Sequence, residues 1–332
     1  MMSAETRYFA GVDVGGTNLR AAVWDTGTER LLAMRHAPTL SHEGHAAVLA
    51  RLAGLIREAI AAAGLTLVQV RAVGLGLPGR LNPTEGVVEF LPNLAGHWIG
   101  VRVAETLTAA LHLPIHLIND ARAMTFGEWR YGAGRGVDTL ACLTLGTGIG
   151  GGIVVNGQLL WGINGTLGEI GHQIVEVDGL PCTCGGRGCL EVYASGTAIA
   201  AAAVRAVREG CETCLRDMAD GDPTRITADM VARAAQSGDP VARAIFERAG
   251  VYLGIVISNV VLTINPQRIV IGGGMAGVGD LLFEPARRTL YERVHLAPVD
   301  HIAIVPAQLG ANAGLIGAAA WAEQKVREEY NG

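Results

Sequence analysis

The chain has no run of basic residues, no lysine-bearing phosphate loop of the G-x-x-x-x-G-K-[ST] type, and no apolar stretch that reads as long as a bilayer requires. Each shortage excludes something. Lys plus Arg number 26 against 31 Asp plus Glu, for a net charge of -5, so the clustered cations of a nucleic-acid face are missing. Without the Walker lysine the chain is not a P-loop protein. The most apolar helix-like run, VYLGIVISNVVLTI at residues 251–264, carries Ser258 and Asn259 and falls short of the roughly 20 residues a membrane span needs, so it reads as a buried core helix. The opening MMSAETRYFAG lacks the basic-then-apolar pattern of a secretory signal. The expectation is a cytoplasmic enzyme with no membrane partner, in which six cysteines are thiols or metal ligands rather than disulfides.

What is present is an α/β pattern that occurs twice. Half of the 332 residues are hydrophobic and 17% are charged, a globular composition long enough for about two domains. The segments YFAGVDVGGTNLRAAVWDTG (8–27) and LACLTLGTGIGGGIVVNGQLLW (140–161) each read as strand, glycine turn, strand. Helical patterns follow each: 45–63, 99–111 and 121–131 after the first; 198–209, 228–236 and 240–263 after the second. A third glycine turn, GGGMAG (272–277), lies between strand-like RIVI and helix-like DLLFEPARRTLYERV, and a last helix spans about 311–328. The crossover between the halves is expected near PIHLINDA (114–121), with no low-complexity linker and no short-period repeat.

GTGIGG (146–151) and GGGMAG both fit G-x-G-x-x-G, which also occurs in dinucleotide-binding folds. That reading needs a strand before the loop, a helix after it, and an acid about 20 residues on. The first match is followed by the strand-like IVVNGQLLW, and the second lacks the acid, so a dehydrogenase is disfavoured. Protein-kinase glycine loops come with HRD and DFG companions, and these are missing. Two matching hairpin turns, with Asp13, Thr17 and Thr147 in them, point instead to phosphate cradled by backbone N–H groups.

In IHLINDARA, Asn119 and Asp120 stand where an apolar strand ends and a helix begins. Such an Asp is either a helix cap or, at the ligand-binding end of an α/β sheet, the base that phosphoryl transfer to an alcohol requires. In GHQIVEVDGLPCTCGGRGCLE (171–191), His172, Cys182, Cys184 and Cys189 complete a four-ligand set that suits structural zinc, with a catalytic zinc or a disulfide as alternatives. Glu169 and Glu191 flank this loop, either as ligands for sugar-type hydroxyls or as solvated surface acids. Cys211 and Cys214 form a second C-x-x-C with no companion ligand and read as free thiols on an exposed loop or helix end, and Cys142 reads as core.

With these pieces assembled, the chain resembles the ROK family (repressors, open reading frames and kinases) and, within it, the bacterial glucokinase branch. The resemblance spans nearly the whole chain. DVGGTNLR is similar to the family's first phosphate motif and LGTGIGGGIVVNG to its second. GLGLPG and LPNLAGHW resemble its sugar-side loops, INDARA its catalytic-aspartate segment, GEIGH with CTCGGRGCLE its zinc and sugar signature, and IGGGMA its adenosine-side turn. The resemblance implies an actin-like, hexokinase/Hsp70-type duplicated α/β fold with a cleft between two domains. The small domain would be 1–118 plus 311–332. The large domain, 119–310, would carry the zinc loop and the dimerisation surface.

By the same resemblance the chain would use ATP, Mg2+ and a structural Zn2+ to phosphorylate a hexose at its 6-hydroxyl, with a role in glycolysis. Asp120 would be the general base. Gly79, Asn93, Asn119, Asp120, Glu169, His172 and Glu191 would contact the sugar. Asp13, Gly15, Gly16, Thr17, Gly146, Thr147, Gly148, Gly273 and Gly274 would bind nucleotide, and His172, Cys182, Cys184 and Cys189 would hold zinc. His172 would thus serve both metal and sugar. Glucose leads among the hexoses; N-acetylglucosamine, N-acetylmannosamine, mannose and fructose stay open, as does polyphosphate as donor. The expected assembly is a homodimer or homotetramer. The family's repressor branch, a sugar-sensing DNA-binding regulator, carries an N-terminal winged-helix segment. Here the phosphate motif starts about ten residues in, which disfavours that branch.

Overall fold

The apolar run beginning at Tyr8 folds as strand β1 (Tyr8–Val14) and returns, through a turn at 15–17, as β2 (Asn18–Asp25). This computed structural model describes residues 7–91 and 94–331. The chain continues through β3 (Arg30–Pro38), α1 (His45–Ala62), β4 (Val70–Leu77), β5 (Arg80–Asn82), β6 (Val87–Phe90), α2 (Val103–Leu111), β7 (Ile115–Asn119) and α3 (Asp120–Tyr131). The second half brings β8 (Leu140–Leu145), β9 (Ile149–Val155), β10 (Gln158–Leu159), α4 (Glu191–Ala194), α5 (Gly196–Arg208), α6 (Leu215–Met218), α7 (Ala228–Gln236) and α8 (Pro240–Ile264). It closes with β11 (Arg268–Gly272), α9 (Asp280–Arg293), β12 (Ala303–Pro306) and α10 (Ala313–Asn331).

Two compact units result. Unit 1 is the chain up to Arg135, Trp161–Leu167 and the chain from Gln308; unit 2 is Gly136–Leu160 with Gly168–Ala307. Their five-stranded sheets share one strand order, β3-β2-β1-β4-β7 in unit 1 and β10-β9-β8-β11-β12 in unit 2. In each, the outer hairpin strands pair antiparallel and the remaining pairs are parallel. The C-terminal ends of the parallel strands therefore line up along one sheet edge, where open α/β sheets bind ligands.

In unit 1, Val48, Leu52 and Ile56 of α1 and Leu107 of α2 pack with Val12, Leu75 and Leu117 of the sheet. Helix α10 lies hard against β1 and β4: a Cβ at Gly11 would collide with the Leu315 carbonyl, and one at Gly74 with the Ala318 carbonyl. These glycines let backbone meet backbone. Unit 2 is built around α8, whose Phe246, Leu253, Val256 and Ile257 are fully buried. Among the described residues it is the one helix long and apolar enough to cross a membrane, and 61% of its most apolar window is buried inside the protein.

Three details depart from the sequence reading. The units divide after Arg135, not at 118, because α3 packs against α10, a partner that local patterning cannot reveal. Helix α2 begins at Val103 rather than 99, because Gly100 sits at φ 80 and interrupts the helix. The strand read through IVVNGQLLW is a second hairpin, turned at Asn156 and Gly157 (φ 50 and 72), the two left-handed positions of a type I′ turn.

Candidate active site

Unit 1 gathers its expected residues along the ends of β1, β4 and β7. Asp13 pairs across to Gly76, and Leu77 to Asn119, so the turn after each strand is a neighbour of the next. Asp13 is half-buried and ion-paired with Arg20, its cross-strand partner, whose Nε donates to Oδ2 at 3.1 Å. Arg20 Nη1 also donates to the Ala311 carbonyl at 2.7 Å, which ties the pair to the start of α10. In the turn, Gly15 N–H donates to the Asn18 carbonyl at 2.9 Å, Thr39 Oγ1 to the Gly15 carbonyl at 2.7 Å, and Thr39 N–H to the Thr17 carbonyl at 2.8 Å. Gly16 and Thr17 are left on the exposed crest.

The cap of α3 is Asn119. Its Oδ1 accepts from the N–H groups of Ala121 and Arg122, at 3.1 and 3.3 Å. Its amide donates to the Gly79 carbonyl at 3.1 Å. Gly79 stands at φ 82, and a Cβ there would strike the Phe90 carbonyl. Asn119 is buried, and its amide bridges α3 and the Gly79 turn. Asp120 is the first residue of the helix, half-buried, with Oδ1 accepting from Ala121 N–H at 2.8 Å. A carboxylate at a helix N-terminus is favoured by the helix dipole. Asn93 lies outside the described residues.

Unit 2 places its two glycine turns side by side, because β8 and β11 are parallel neighbours with Thr144 opposite Gly272. Gly273, at φ 84, lies so close to β8 that a Cβ would collide with the Leu145 carbonyl, while Gly274 borders open space. The turn at 146–148 is held from behind. Gly146 N–H donates to the Gly148 carbonyl at 2.9 Å, Gly196 N–H to the Gly146 carbonyl at 2.8 Å, and Thr197 Oγ1 to the Thr147 carbonyl at 2.8 Å. Glu191, the first residue of α4, accepts from Ile149 N–H at 2.8 Å, so its carboxylate closes on the phosphate-type turn. Glu169 is exposed and precedes the short 3-10 turn Ile170–His172.

His172, Cys182, Cys184 and Cys189 converge, with all four ligand atoms within 4.8 Å of one another. His172 Nδ1 lies 3.6 Å from Cys182 Sγ, and Cys184 Sγ lies 3.7 Å from Cys189 Sγ. Zinc–sulfur bonds of about 2.3 Å at tetrahedral angles put sulfurs about 3.8 Å apart. The donors therefore fit a tetrahedral ion, and the thiols are free rather than bonded. Burial, with the two neighbouring thiols, pushes Cys189 up to about 12, whereas a backbone hydrogen bond from Gly186 lowers Cys184. The cluster uses Nδ1 of His172, leaving Nε2 as the other ring nitrogen.

Other readings resolve simply. Cys142 is fully buried in β8, and Cys211 and Cys214 are exposed free thiols near the start of α6. The sequence reading did not single out Arg20, although it lies within the quoted DVGGTNLR. It also passed over Arg122 and Glu128 of α3, which are 1% and 0% exposed; a charged residue's burial leaves no mark in local pattern.

The chain is similar over nearly its whole length to known proteins of one family. The ROK family profile matches residues 9–325. A glucokinase of Halalkalibacterium halodurans is 35% identical over 312 residues, 94% of this chain and 93% of that one. The crystal structure of a ROK family glucokinase from Streptomyces griseus, in complex with glucose and AMPPNP, superposes with a TM-score of 0.82 at 33% identity, covering 96% of this chain and 99% of that one. A xylose repressor of Caldicellulosiruptor bescii is 29% identical over 270 residues, 81% of this chain and 67% of its own length. The duplicated α/β fold is the actin-like one of the ROK sugar kinases.

Proposed function

The chain belongs to the ROK family, and from that premise we propose that it is an ATP-dependent kinase that phosphorylates glucose at its 6-hydroxyl. The observation that carries the reading is the edge of the unit 1 sheet: Asp120 heads α3 at the end of β7, two strands from the Asp13 turn and braced by Asn119 on Gly79. In this role the Asp120 carboxylate accepts the proton of the 6-hydroxyl as that oxygen attacks the γ-phosphoryl group. The turns at 15–17 and 146–148 offer backbone N–H groups to the phosphates, and the turn at 273–274 takes the adenosine side. The chain's one lysine, Lys325, lies in α10 and is no part of either turn.

Magnesium, bound with the nucleotide, would neutralise phosphate charge. Asp13 would hold the hydrated ion, its carboxylate directed by the ion pair with Arg20. Zinc in the His172–Cys182–Cys184–Cys189 cluster would be structural, since four protein ligands leave no open position. It would orient His172, whose Nε2 then joins Glu169 and Glu191 on the sugar hydroxyls. Asn93 is assigned to the sugar on the family resemblance, as are a homodimer or homotetramer contacting through the larger domain and a cytoplasmic location.

The test is ADP release with Mg·ATP across glucose, mannose, fructose, N-acetylglucosamine and N-acetylmannosamine, with polyphosphate as a second donor. Glucose-dependent release fits the reading; preference for another hexose moves the substrate; transfer from polyphosphate alone moves the donor. Glucose binding without transfer from either donor contradicts a kinase and favours a sugar-sensing regulator.

A further inference from the structure

The helix that Asp120 begins carries two buried charges, and each is held by backbone at the places where the chain passes between units. Those passages fall at 135–136, 160–161, 167–168 and 307–308. Arg122 Nη2 donates to the carbonyl of Leu167, the last residue before one passage, at 2.6 Å. Its guanidinium carbon lies 5.6 Å from the ring centre of Trp161, the first residue after another. Glu128 Oε1 accepts from Leu309 N–H at 2.7 Å, and Oε2 from Gln308 N–H at 3.0 Å and from Ala133 N–H at 2.8 Å. Gln308 opens the last passage and Ala133 stands just before the first.

Helix α3 itself has little freedom. A Cβ at Gly317 of α10 would collide with the Ala123 carbonyl, and Tyr131 Oη donates to Glu323 of α10 at 3.1 Å. Burying a charge is costly unless it is fully compensated, and an apolar residue would pack α3 against α10 as well. What the charges add is a directed hold on backbone far away in sequence.

We propose that Arg122 and Glu128 are positioning residues for phosphoryl transfer: they fix the segments that lead into and out of unit 2 on the same rigid helix that presents Asp120. The inference rests on the assignment of Asp120 as the base. Misplacement of reacting groups by about 1 Å costs on the order of a hundredfold in rate, so slack in these holds appears in turnover before it appears in sugar binding.

The experiment compares Arg122→Met, Arg122→Lys and Glu128→Gln with the unaltered chain. Turnover, glucose Kd and melting temperature are measured on each, with amide hydrogen exchange across 133–135, 161–167 and 308–309. Arg122→Met should lose at least tenfold in turnover with glucose Kd within threefold. Arg122→Lys, which can still donate to Leu167, should regain most of the loss, and Glu128→Gln should speed exchange at Ala133, Gln308 and Leu309. Equal failure of Lys and Met, or a turnover loss matched by the loss of folded protein, would make Arg122 merely structural and overturn the proposal. If a variant does not fold, Arg122→Lys and the exchange rates still decide. Failure of the kinase reading shows separately, as no glucose-dependent ADP release from the unaltered chain.

Discussion

In unit 1 the strand before the first glycine turn carries Asp13, and across the hairpin stands Arg20; at the matching place in unit 2 stand Thr144 and Gly150. The fifth strand of the unit 1 sheet ends in Asn119 and is followed by Asp120, whereas the fifth of unit 2 ends in Pro306 and is followed by Ala307. One strand order thus supports two chemistries. Unit 1 carries the carboxylates of Asp13 and Asp120, which under the proposed function serve the metal ion and the transferred proton. Unit 2 has glycine turns at the matching places, one of them met by Glu191 from α4, and its His172, Cys182, Cys184 and Cys189 converge in a separate loop. The sheet edge supplies places, and the residues at those places supply function.

The largest effect should come from erasing the carboxylate that follows β7, where unit 2 has Ala307 after β12. Asp120→Asn is expected to lower turnover by about a hundredfold to ten-thousandfold, the usual contribution of a positioned base, as read by steady-state ADP release. Next comes the loop that unit 1 lacks. Cys184→Ser should lose bound zinc by elemental analysis, lower the melting temperature, and weaken glucose binding about tenfold to a hundredfold, as expected when the support of a metal-bound histidine is disturbed. Unchanged glucose affinity in a zinc-free sample would separate the loop from the sugar site.

A further pair of variants makes the two hairpins alike. Asp13→Thr copies Thr144 into unit 1 and leaves Arg20 without its carboxylate. Turnover should fall about tenfold to a hundredfold, with a raised magnesium requirement in a metal titration, while Thr144→Asp should restore none of it. The smallest effects belong to neighbouring glycines. Gly273→Ala forces alanine into a conformation that essentially only glycine adopts (φ 84, ψ 170), against the Leu145 carbonyl, and should cost about 3 kcal/mol in denaturant unfolding, with a raised KM for ATP. Gly274→Ala borders open space and should stay within about 0.5 kcal/mol.

Much of this was legible in the sequence, because glycine turns between apolar runs and residue types that bind metal are local signals. The hairpins around Gly15 and Gly146 and the helix after Asn119 needed only spacing, whereas His172, Cys182, Cys184 and Cys189 stood out as a candidate set that spacing left open between metal and disulfide. Whether Asp120 was a helix cap or a base did not follow from spacing; the structure gives the cap to Asn119. The remaining features depend on partners remote in the chain. Glu191 meets Ile149 across 42 residues, Arg122 meets Leu167 across 45, and Glu128 meets Gln308 across 180. No periodicity encodes such pairings, and the same packing of α3 on α10 moved the unit boundary beyond its expected place.

Under the proposed function Asp120 acts on the transferred proton rather than on the hold of the sugar. The most direct test measures glucose affinity by calorimetry and turnover with Mg·ATP in a single preparation of Asp120→Asn. A glucose Kd within about threefold of the unaltered chain, beside a loss of at least a hundredfold in turnover, is the predicted result. Turnover within tenfold of the unaltered chain, or a loss explained wholly by weakened glucose binding, would contradict it.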